Sequence, residues 1–400
     1  MSETARVAPP VGSGSGALLR LLRDGVPRTR SELATITGVA RSTIAIRVDQ
    51  LMSAGLLAPV GDAASTGGRP SARFTFNVGA RVVLAADLGA SHGRVALTDL
   101  AGQVLAEQRT DFSIAEGPEA CLGWVAEAGR ELLASAHRQS RELVGIGLGL
   151  PGPVEHLSGR PINPPIMPGW DGFDVAGWLR ERFEVPVLVD NDVNIMALGE
   201  HFSEWRTSEH LLFIKVATGI GAGLVSEGRL HRGAQGAAGD LGHVRVPDGA
   251  DAQCRCGNTG CLEAVASGSA LAGRLRDKGI AAADSRAVVA LARGGSIEAL
   301  SLVRQAGRDL GAVLATCVSI LNPSIIVIGG SLSDAGEHLL AGVREVVYSR
   351  SLPLATQHLR IVKSRTGDRA GSIGAAVMVI EHTLDPEILD ASLLTAAAGG

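Results

Sequence analysis

Two stretches of this 400-residue chain share one pattern: three short apolar strands joined by tight turns, with a glycine-containing turn after the first strand. The first stretch covers residues 81–107 and has "DLGAS" at this turn, and the second covers residues 210–233 and has "TGIGAG". Predicted helices and further strands, such as 143–152 and 324–330, follow each stretch. The repeated unit therefore predicts an α/β protein with two similar lobes that face a cleft.

The composition fits such a protein. Hydrophobic residues make up 46% of the chain, glycine occurs 52 times and aromatic residues amount to 3%, which suits many tight turns between strands and helices. A chain of this length usually forms more than one hydrophobic core, so we expect two or three domains. The N terminus lacks the apolar core of a signal peptide, and no run of eighteen apolar residues occurs. The sequence thus predicts a soluble, cytoplasmic protein without a membrane partner.

Charge is distributed unevenly along the chain. Residues 1–80 contain nine arginines and five acidic residues, a balance of +4, so the remaining residues carry −8 within the net charge of −4. A small basic head on an acidic body indicates that only the head meets nucleic acid.

Three helices are predicted in this basic head. Leucines at helical spacing mark residues 17–25, residues 29–38 begin with Ser31 as the predicted N-cap and end at Gly38, and residues 40–57 follow after a short turn. Polar and basic residues at the start of the third helix are typical of a helix-turn-helix that reads the major groove. A plain helical hairpin is the alternative interpretation.

A β-hairpin is predicted after the helices and favours the DNA-binding interpretation. Residues 56–77 form two strands around the tip "GGRPS", which completes a winged helix-turn-helix. An arginine between glycine and proline is slim enough to enter a minor groove, and a solvated loop charge is the alternative. The predicted DNA contacts are Arg41, Ser42, Thr43, Arg47 and Arg69.

Three of the five cysteines stand within eight positions, in "CRCGNTGC". Cys254, Cys256 and Cys261, with His243 upstream, supply three thiolates and one imidazole, the ligand set of a closed tetrahedral Zn²⁺ site. Four protein ligands leave no position for a reactive water, so we expect the zinc to be structural; buried or redox-active thiols are the alternative. The odd cysteine count and the lack of an export signal argue against disulfides. Two cysteines stand alone in helical stretches and are predicted core residues: Cys121 and Cys317.

The two glycine-containing turns present backbone N–H groups, which bind anions such as phosphates. Asp87, beside the first turn, offers a carboxylate to Mg²⁺. Either turn alone is more often an ordinary tight turn. At matching places in a duplicated fold, the two turns favour a nucleotide held between two lobes.

Six motifs resemble the successive signatures of the ROK family, which groups repressors, uncharacterised proteins and sugar kinases. They are "GLGLPGPV", "VDNDVNIMALGE", "TGIGAGLVSEGRLHRGAQGAAGDLGH", "CRCGNTGCLE", "IVIGGSL" and "GDRAGSIGAA", and the resemblance covers residues 82–383. It implies a two-lobed actin/hexokinase-like ATPase fold with ribonuclease H-like lobes. The winged helix-turn-helix in front is similar to the repressor branch of the family, which includes xylose and N-acetylglucosamine regulators.

The resemblance also implies roles for residues in the cleft. Asp192 matches the family's catalytic base, which accepts the proton of the sugar hydroxyl that attacks the γ-phosphate. The alternative is that Asn191 and Asp192 only cap the helix that begins near Val193. The implied sugar contacts are Asn163, Asn191, Asp192, Asp240, His243 and Glu263, and the zinc would hold the loop that carries the last three. The implied nucleotide contacts, for ATP and Mg²⁺ if kinase activity is retained, are Asp87, Gly89, Ser91, Thr218, Gly219, Gly329 and Gly330.

Two departures from the family pattern bear on these roles. Kinases of the family mostly read Asp-x-Gly-Gly-Thr-Lys at the first turn, whereas this chain reads Asp-Leu-Gly-Ala-Ser-His from residue 87. Ala90 adds a Cβ where backbone approaches phosphate closely, so we expect weaker ATP binding. The family's usual glutamate before the metal-binding histidine is Asp240, which is one methylene shorter and puts its hydrogen bond to the sugar in doubt.

Together these observations predict a sugar-responsive transcriptional repressor that binds an inverted-repeat operator in double-stranded DNA as a homodimer or homotetramer. An ATP-dependent sugar kinase with a regulatory head would instead release ADP, and a scaffold with an inactive sugar site would bind DNA whatever sugar is present. The predicted divisions are a flexible segment 1–16, a winged helix-turn-helix domain 17–78, a first lobe 79–195 plus 370–384, a second lobe 196–369 with the zinc loop, and a disordered tail 385–400.

Overall fold

The computed structural model describes residues 14–62, 71–246, 249 and 251–398. The head, as we use the term, comprises three helices and three strands, in chain order α1 Ser15–Leu22, β1 Arg28–Thr29, α2 Arg30–Thr37, α3 Arg41–Ser53, β2 Leu57–Asp62 and β3 Ala72–Phe76. The strands form an antiparallel sheet of order β1-β3-β2. The two strands of the predicted hairpin are therefore present and paired, its tip lies outside the described residues, and β1 is an additional strand.

Helix α2 begins differently from the prediction. Thr29, not Ser31, is its N-cap: the Thr29 hydroxyl accepts from the Glu32 N–H (3.2 Å) and the Glu32 carboxylate accepts from the Thr29 N–H (2.7 Å). This reciprocal pair is a capping box. Pairing of Thr29 with Arg73 across β1 and β3 holds the extended backbone that an N-cap requires.

The first lobe is built on a five-stranded sheet. Its elements are β4 Val82–Leu88, β5 Gly93–Asp99, β6 Val104–Thr110, α4 Pro118–Ser135, β7 Leu143–Leu150, β8 Val154–Glu155, β9 Arg160–Pro161, α5 Val175–Phe183, β10 Val187–Asn191 and α6 Asp192–Glu204. The sheet order is β10-β7-β4-β5-β6, with β4, β5 and β6 antiparallel and β7 and β10 added in parallel.

The second lobe repeats this topology. Its elements are β11 Leu211–Val216, β12 Ile220–Ser226, β13 Arg229–His231, α7 Leu262–Ala266, α8 Gly268–Asp277, α9 Ser285–Arg293, α10 Ile297–Leu321, β14 Ile325–Gly329, α11 Glu337–Arg350, α12 Pro353–Thr356 and β15 Arg360–Lys363. Its sheet order, β13-β12-β11-β14-β15, again has an antiparallel meander and two parallel strands beside the first. The predicted duplication of the α/β unit is confirmed.

Two helices lie between the sheets, α6 and α13 (Ala370–Thr383). Helix α13 packs on β4 and β7, and α6 packs on β11 and β12. The two helices approach each other through glycines: a Cβ on Gly374 would overlap the Ile195 carbonyl, and one on Gly199 would overlap that of Ala370. The start of α6, which carries the predicted base, is therefore fixed against both lobes.

The C-terminal segment is a helix, so the predicted disordered tail is wrong. Helix α14 spans Pro386–Ala398 and packs on α1, where the Gly16 N–H donates to the Asp390 carboxylate (2.8 Å). Leu389 is buried in a core shared by α1 and α13. This burial compensates for the ordering of an alanine-rich segment that is weakly helical by itself. Within the described ranges, none of the helices has the length and apolarity needed to cross a membrane.

Candidate functional site

The four predicted metal ligands lie together. One ligand atom from each of His243, Cys254, Cys256 and Cys261 falls within 4.8 Å of the others. The Cys254 Sγ is 3.6 Å from His243 Nδ1, and the Cys256 Sγ is 3.7 Å from the Cys261 Sγ. Usual bond lengths around a tetrahedral Zn²⁺ separate neighbouring ligand atoms by about 3.5–3.8 Å. The donor set and its spacing fit a zinc ion bound by these residues.

A tight backbone turn brings the thiols together. The Cys254 N–H donates to the Asn258 carbonyl (2.9 Å), and the Cys254 carbonyl accepts from the Gly257 N–H (3.0 Å). Gly257 has φ of 91°, a conformation that side chains disfavour. A backbone hydrogen bond at Asn258 lowers the pKa of the Cys256 thiol to about 7. One ligand is thus close to its metal-binding thiolate form at neutral pH.

His243 connects the metal cluster to the predicted sugar contacts. Its Nδ1 faces the thiols, and its Nε2 lies 3.9 Å from a carboxylate oxygen of Asp240. A metal on Nδ1 would fix the tautomer and direction of Nε2. Glu263, two residues after Cys261, accepts the Ile220 N–H (2.9 Å) at the start of β12. The metal loop therefore carries Asp240, His243 and Glu263 to one edge of the second sheet.

Three adjacent parallel strands end at the cleft. In their register, Gly149 of β7 lies between Asp190 of β10 and Asp87 of β4. The carboxyl ends of parallel strands meet at one edge of a sheet, which is where ligands bind in open α/β folds. Asn191 ends β10 and Asp192 begins α6, so both lie at this edge. The Asp192 side chain is only 5% exposed.

Asn191 is a helix cap that also faces the cleft edge. Its Oδ1 accepts from the Val193 N–H (2.9 Å), and its Nδ2 donates to the Gly152 carbonyl (2.9 Å). The capping interpretation is therefore correct for Asn191. A fixed amide still has a second N–H to offer a ligand.

Two ion pairs that sequence reasoning missed join this edge to the second sheet. Lys215 of β11 donates to the Asp192 carboxylate, and Arg232, which follows β13, donates to Asp190 (2.7 Å). Burial opposes the charge of Lys215, but the carboxylates of Asp192 and Asp87 outweigh burial and raise the pKa of the Lys215 ammonium. Asp192 is thus paired with an internal cation.

The His92 imidazole covers one side of the first glycine turn and would hinder a nucleotide phosphate there. A Cβ on Gly89 would overlap the His92 imidazole, so a phosphate approaching from that side would collide with this ring. Burial, and then the charge of Lys215, lowers the pKa of His92, which keeps the imidazole neutral. Asp87, the predicted Mg²⁺ ligand, is buried and faces the charge of Lys215. Ser91 is exposed on the same turn.

The other predicted nucleotide residues lie against neighbouring chain segments. Gly219, which follows Thr218, lies against the Glu263 carboxylate, and Gly329 and Gly330 lie against β11. At Gly330, φ is 81° and a Cβ would come within 2.6 Å of a β11 carbonyl oxygen. Close packing of the strands explains this glycine pair, and its nucleotide role stays a prediction.

Asn163 lies in the exposed segment after β9. It has φ of 43°, and its N–H donates to the Asp171 carboxylate (2.7 Å). Its neighbour Pro164 packs next to Gly152, whose carbonyl accepts from Asn191. Asn163 is therefore one residue from the surroundings of Asn191, and its sugar contact stays a prediction.

Helix α3 of the head turns a polar face outward. Ile44, Val48 and Leu51 are buried in the core of the head, so the opposite positions face solvent. Arg69 lies outside the described residues. The predicted DNA contacts at the exposed or partly exposed positions of α3 are Arg41, Ser42, Thr43 and Arg47.

The comparison with known families now identifies the body of the molecule. Residues 83–382 match the ROK family. The chain belongs to the ROK family. The duplicated sheets, the CxCGxxGC metal loop and the strand-to-helix junction at Asp192 are all within the matched residues.

Full-length relatives of this ROK protein are transcriptional regulators. The xylose repressor of Caldicellulosiruptor bescii is 29% identical over 381 residues, which cover 92% of this chain and 95% of the repressor. The DNA-binding transcriptional dual regulator NagC of Escherichia coli K12 is 29% identical over 391 residues and 94% of each chain. A crystal structure of a ROK family transcriptional regulator, a homologue of the E. coli MLC protein, matches with a TM-score of 0.81 and 26% identity over 96% of this chain and 98% of that one.

Sugar kinases match a shorter part of this ROK protein. The glucokinase of Halalkalibacterium halodurans is 32% identical over 312 residues, covering 93% of the kinase but 73% of this chain. The whole kinase therefore has its counterpart in part of this chain, whereas the regulators match nearly all of it.

Proposed function

We propose that this protein is a sugar-responsive transcriptional repressor. The observation that carries the proposal is the extent of the similarity. The regulators match 92–94% of this chain, whereas a kinase of similar sequence identity matches 73% of it. The poor fit of the first glycine turn to a phosphate supports the same conclusion. A kinase with a regulatory head is less consistent with these two observations.

The head would bind DNA as a winged helix-turn-helix. Helix α3 would lie in the major groove with Arg41, Ser42, Thr43 and Arg47 toward the DNA, and the β2–β3 hairpin would be the wing that carries Arg69. The polar outward face of α3 supports this assignment. We propose an inverted-repeat operator bound by a homodimer or homotetramer, because two-fold symmetric regulators bind palindromic half-sites.

The cleft would bind the sugar effector. Asn191 and Asp192 of the first lobe, with Asp240, His243 and Glu263 of the second, would donate and accept hydrogen bonds to its hydroxyl groups, and Asn163 would lie at the rim. A structural zinc on the four metal ligands would hold the second group in place. Proximity of Glu263 to β12, and of β12 to the start of α6, supports the convergence of these residues.

The test is a DNA selection followed by a sugar panel. Randomised duplexes are selected on the full-length protein, and binding to the selected sequence is measured with neutral sugars and their phosphates. We expect a palindromic operator and one sugar class that changes operator affinity by at least about fivefold. Coupled ADP release is measured in parallel and should stay at background. Rapid phosphorylation of a sugar, or operator binding that no sugar alters, would overturn the proposal.

A further inference from the structure

Lys215 is an unusual residue in this chain. The sequence has 37 basic residues, of which three are lysines and the others arginines. One of these lysines lies in β11 with its side chain 20% exposed, and its ammonium contacts the Asp192 carboxylate. The other ion-paired lysine, Lys363, is on the surface with its side chain 45% exposed.

One buried acidic side chain, Asp192, contacts the Lys215 ammonium, and a second, Asp87, senses its charge. Asp192 and Asp87 are 3% and 8% exposed, and they lie on either side of Gly149: Asp87 pairs with it across β4 and β7, and the Asp192 Cα is 3.4 Å from its Cβ position. Asp87 senses the charge of Asp192 and that of Lys215, and Lys215 senses both carboxylates. Burial and then the charge of Asp192 raise the pKa of Asp87 to about 7, and the charge of Lys215 opposes this rise. A cation beside this pair therefore favours the ionised form of Asp87, because unpaired buried charge is strongly unfavourable.

We propose that Lys215 is a built-in counter-ion for Asp192 and the neighbouring Asp87, which takes the place of a divalent cation and adapts this cleft to hold a neutral sugar without Mg²⁺ or nucleotide. The counter-ion part stands on the contact of Lys215 with Asp192 and on the placement of Asp87 and Asp192 beside Gly149. The sugar part rests on the proposed function.

The type of side chain supports this role. A lysine ammonium is a compact charge with three donors, whereas an arginine is a planar fork that needs more room. A chain that uses arginine almost everywhere else has a lysine where a small cation is needed. The pairing also gives the buried Asp192 side chain a positive partner, and its oxygen lone pairs can accept hydrogen bonds from sugar hydroxyls.

The charges around the cleft favour an uncharged ligand. Five carboxylates lie in the predicted sugar and junction positions, and the two cations bonded to Asp192 and Asp190, Lys215 and Arg232, are already paired. An anionic ligand would meet net negative charge in this part of the described chain. The five are Asp87, Asp190, Asp192, Asp240 and Glu263.

Binding of the metal alone tests the counter-ion. Full-length parent, Lys215→Met and the surface control Lys363→Met are titrated with Mg²⁺ by calorimetry, and with Mn²⁺ by electron paramagnetic resonance, without sugar or nucleotide. We expect Lys215→Met to bind either ion at least tenfold more tightly than the parent and the control. The double variant Lys215→Met/Asp192→Asn should lose the gain, and a merely structural role of Lys215 would not produce it.

Three outcomes would contradict the counter-ion role of Lys215. They are a parent that binds Mg²⁺ as tightly as Lys215→Met does, a folded Lys215→Met with no gain in metal affinity, or a gain in metal affinity that survives the Asp192→Asn change. Circular dichroism and thermal unfolding establish that each variant is folded. Lys215→Gln, which keeps a polar side chain without charge, replaces Lys215→Met if the latter does not fold, and the same gain is expected of it.

A sugar titration tests the ligand class separately. The parent should bind a neutral sugar with an affinity that changes less than twofold on addition of Mg²⁺, and at least tenfold more tightly than the phosphate ester of that sugar. Tighter binding of the phosphate ester, or a requirement for Mg²⁺, would overturn the neutral-sugar inference. If no sugar of the panel binds, the proposed function fails, while the metal titration still tests whether Lys215 acts as the counter-ion.

Discussion

Cys256 is the exposed thiol of the metal cluster, whereas Cys261 is buried. A substitution at Cys256 therefore removes a ligand with little effect on packing. His243 uses Nδ1 toward the cluster and Nε2 toward Asp240, so loss of the metal would free the imidazole from its fixed direction. A structural metal at this site would thus set the geometry of Asp240 and Glu263, predicted sugar contacts outside the predicted ligand set.

Replacement of Cys256 by serine should remove the metal. We expect about one zinc per chain in the parent and almost none in Cys256→Ser, with sugar affinity reduced at least tenfold because the loop loosens. Metal content by mass spectrometry and sugar titration are the two measurements. Cys121→Ala, at a buried position in α4 outside the cluster, should retain the zinc. Freshly purified parent without zinc would contradict the site.

At the scale of single residues, sites formed by residues close in sequence were predictable, and contacts between residues from distant elements were not. The metal ligands span only residues 243–261, so their spacing alone indicated the site. The pair of Lys215 and Asp192 depends on how β11 and α6 meet in space, which one sequence does not specify. The burial predicted for Cys121 and Cys317 is confirmed, and it raises the pKa of each thiol to about 11.

Helices α6 and α13 cross so closely that glycine is required at the contact. Gly374 of α13 lies against the backbone of α6, and Gly199 of α6 lies against the backbone of α13. A methyl group at either position would force the helices apart, since their backbones cannot yield as a flexible side chain can. Because α6 begins at Asp192, its displacement would reach the cleft.

Gly374→Ala should therefore destabilise the protein by about 1–3 kcal/mol or more and weaken sugar binding. The control is Gly123→Ala in α4, where a Cβ would meet no atom within 4 Å. That change should be neutral or stabilising by about 0.5–1 kcal/mol, as expected for alanine in a helix. Denaturant unfolding and sugar titration measure both variants. Equal stability of the two would mean that the helix crossing tolerates a side chain.

The position of Arg47 on the outward face of α3 leads to a prediction about DNA binding. Arg47→Ala should weaken operator binding by about 1–3 kcal/mol and relax base preference at one position of each half-site. Arg141→Ala, an exposed change on the first lobe, should leave binding unchanged. A binding-site selection on each variant gives both readouts, and an Arg47→Ala profile identical to that of the parent would show that α3 is misassigned.

The boundaries of helices and strands were predictable where a sequence pattern repeats. The predictions were wrong where tertiary packing determines where an element begins or whether it forms. The two strand meanders could be predicted because each alternates apolar strands with glycine turns. The cap of α2 was misplaced because Thr29 owes its extended backbone to a strand pairing with residues more than forty positions away. Helix α14 was missed because its alanine-rich sequence resembles a tail until Leu389 is buried against the head.

The head and the body share one hydrophobic core at the scale of the whole molecule. Leu18, Leu19 and Leu22 of α1 are buried in the same cluster as Val379 of α13 and Leu389 of α14. An ion pair between Arg23 and Glu381 (2.5 Å) lies beside this core. Since α13 also packs on α6, a continuous set of packed helices extends from Asp192 to the head.

This continuity predicts how a sugar would act on DNA binding. A ligand that contacts both lobes favours the closed cleft, and the helices between the lobes would then move the head. Leu389→Ala should reduce the coupling between sugar and operator, because it loosens α14 from α1, while sugar affinity without DNA stays within twofold of the parent. Leu394→Ala, on the same helix but 70% exposed, should keep the coupling. If Leu389→Ala couples as the parent does, the signal does not pass through α14.

The size of this coupling is limited by the differential affinity of the sugar for the two states of the molecule. We expect about 1–3 kcal/mol, or about 5–150-fold in operator affinity, with the sugar releasing DNA. Thermodynamic linkage requires that the operator change sugar affinity by the same factor. Sugar titrations with and without operator, and operator titrations with and without sugar, therefore give two independent values that must agree. Tight sugar binding with no change in either affinity would mean that the body does not control this head, whatever contacts join them.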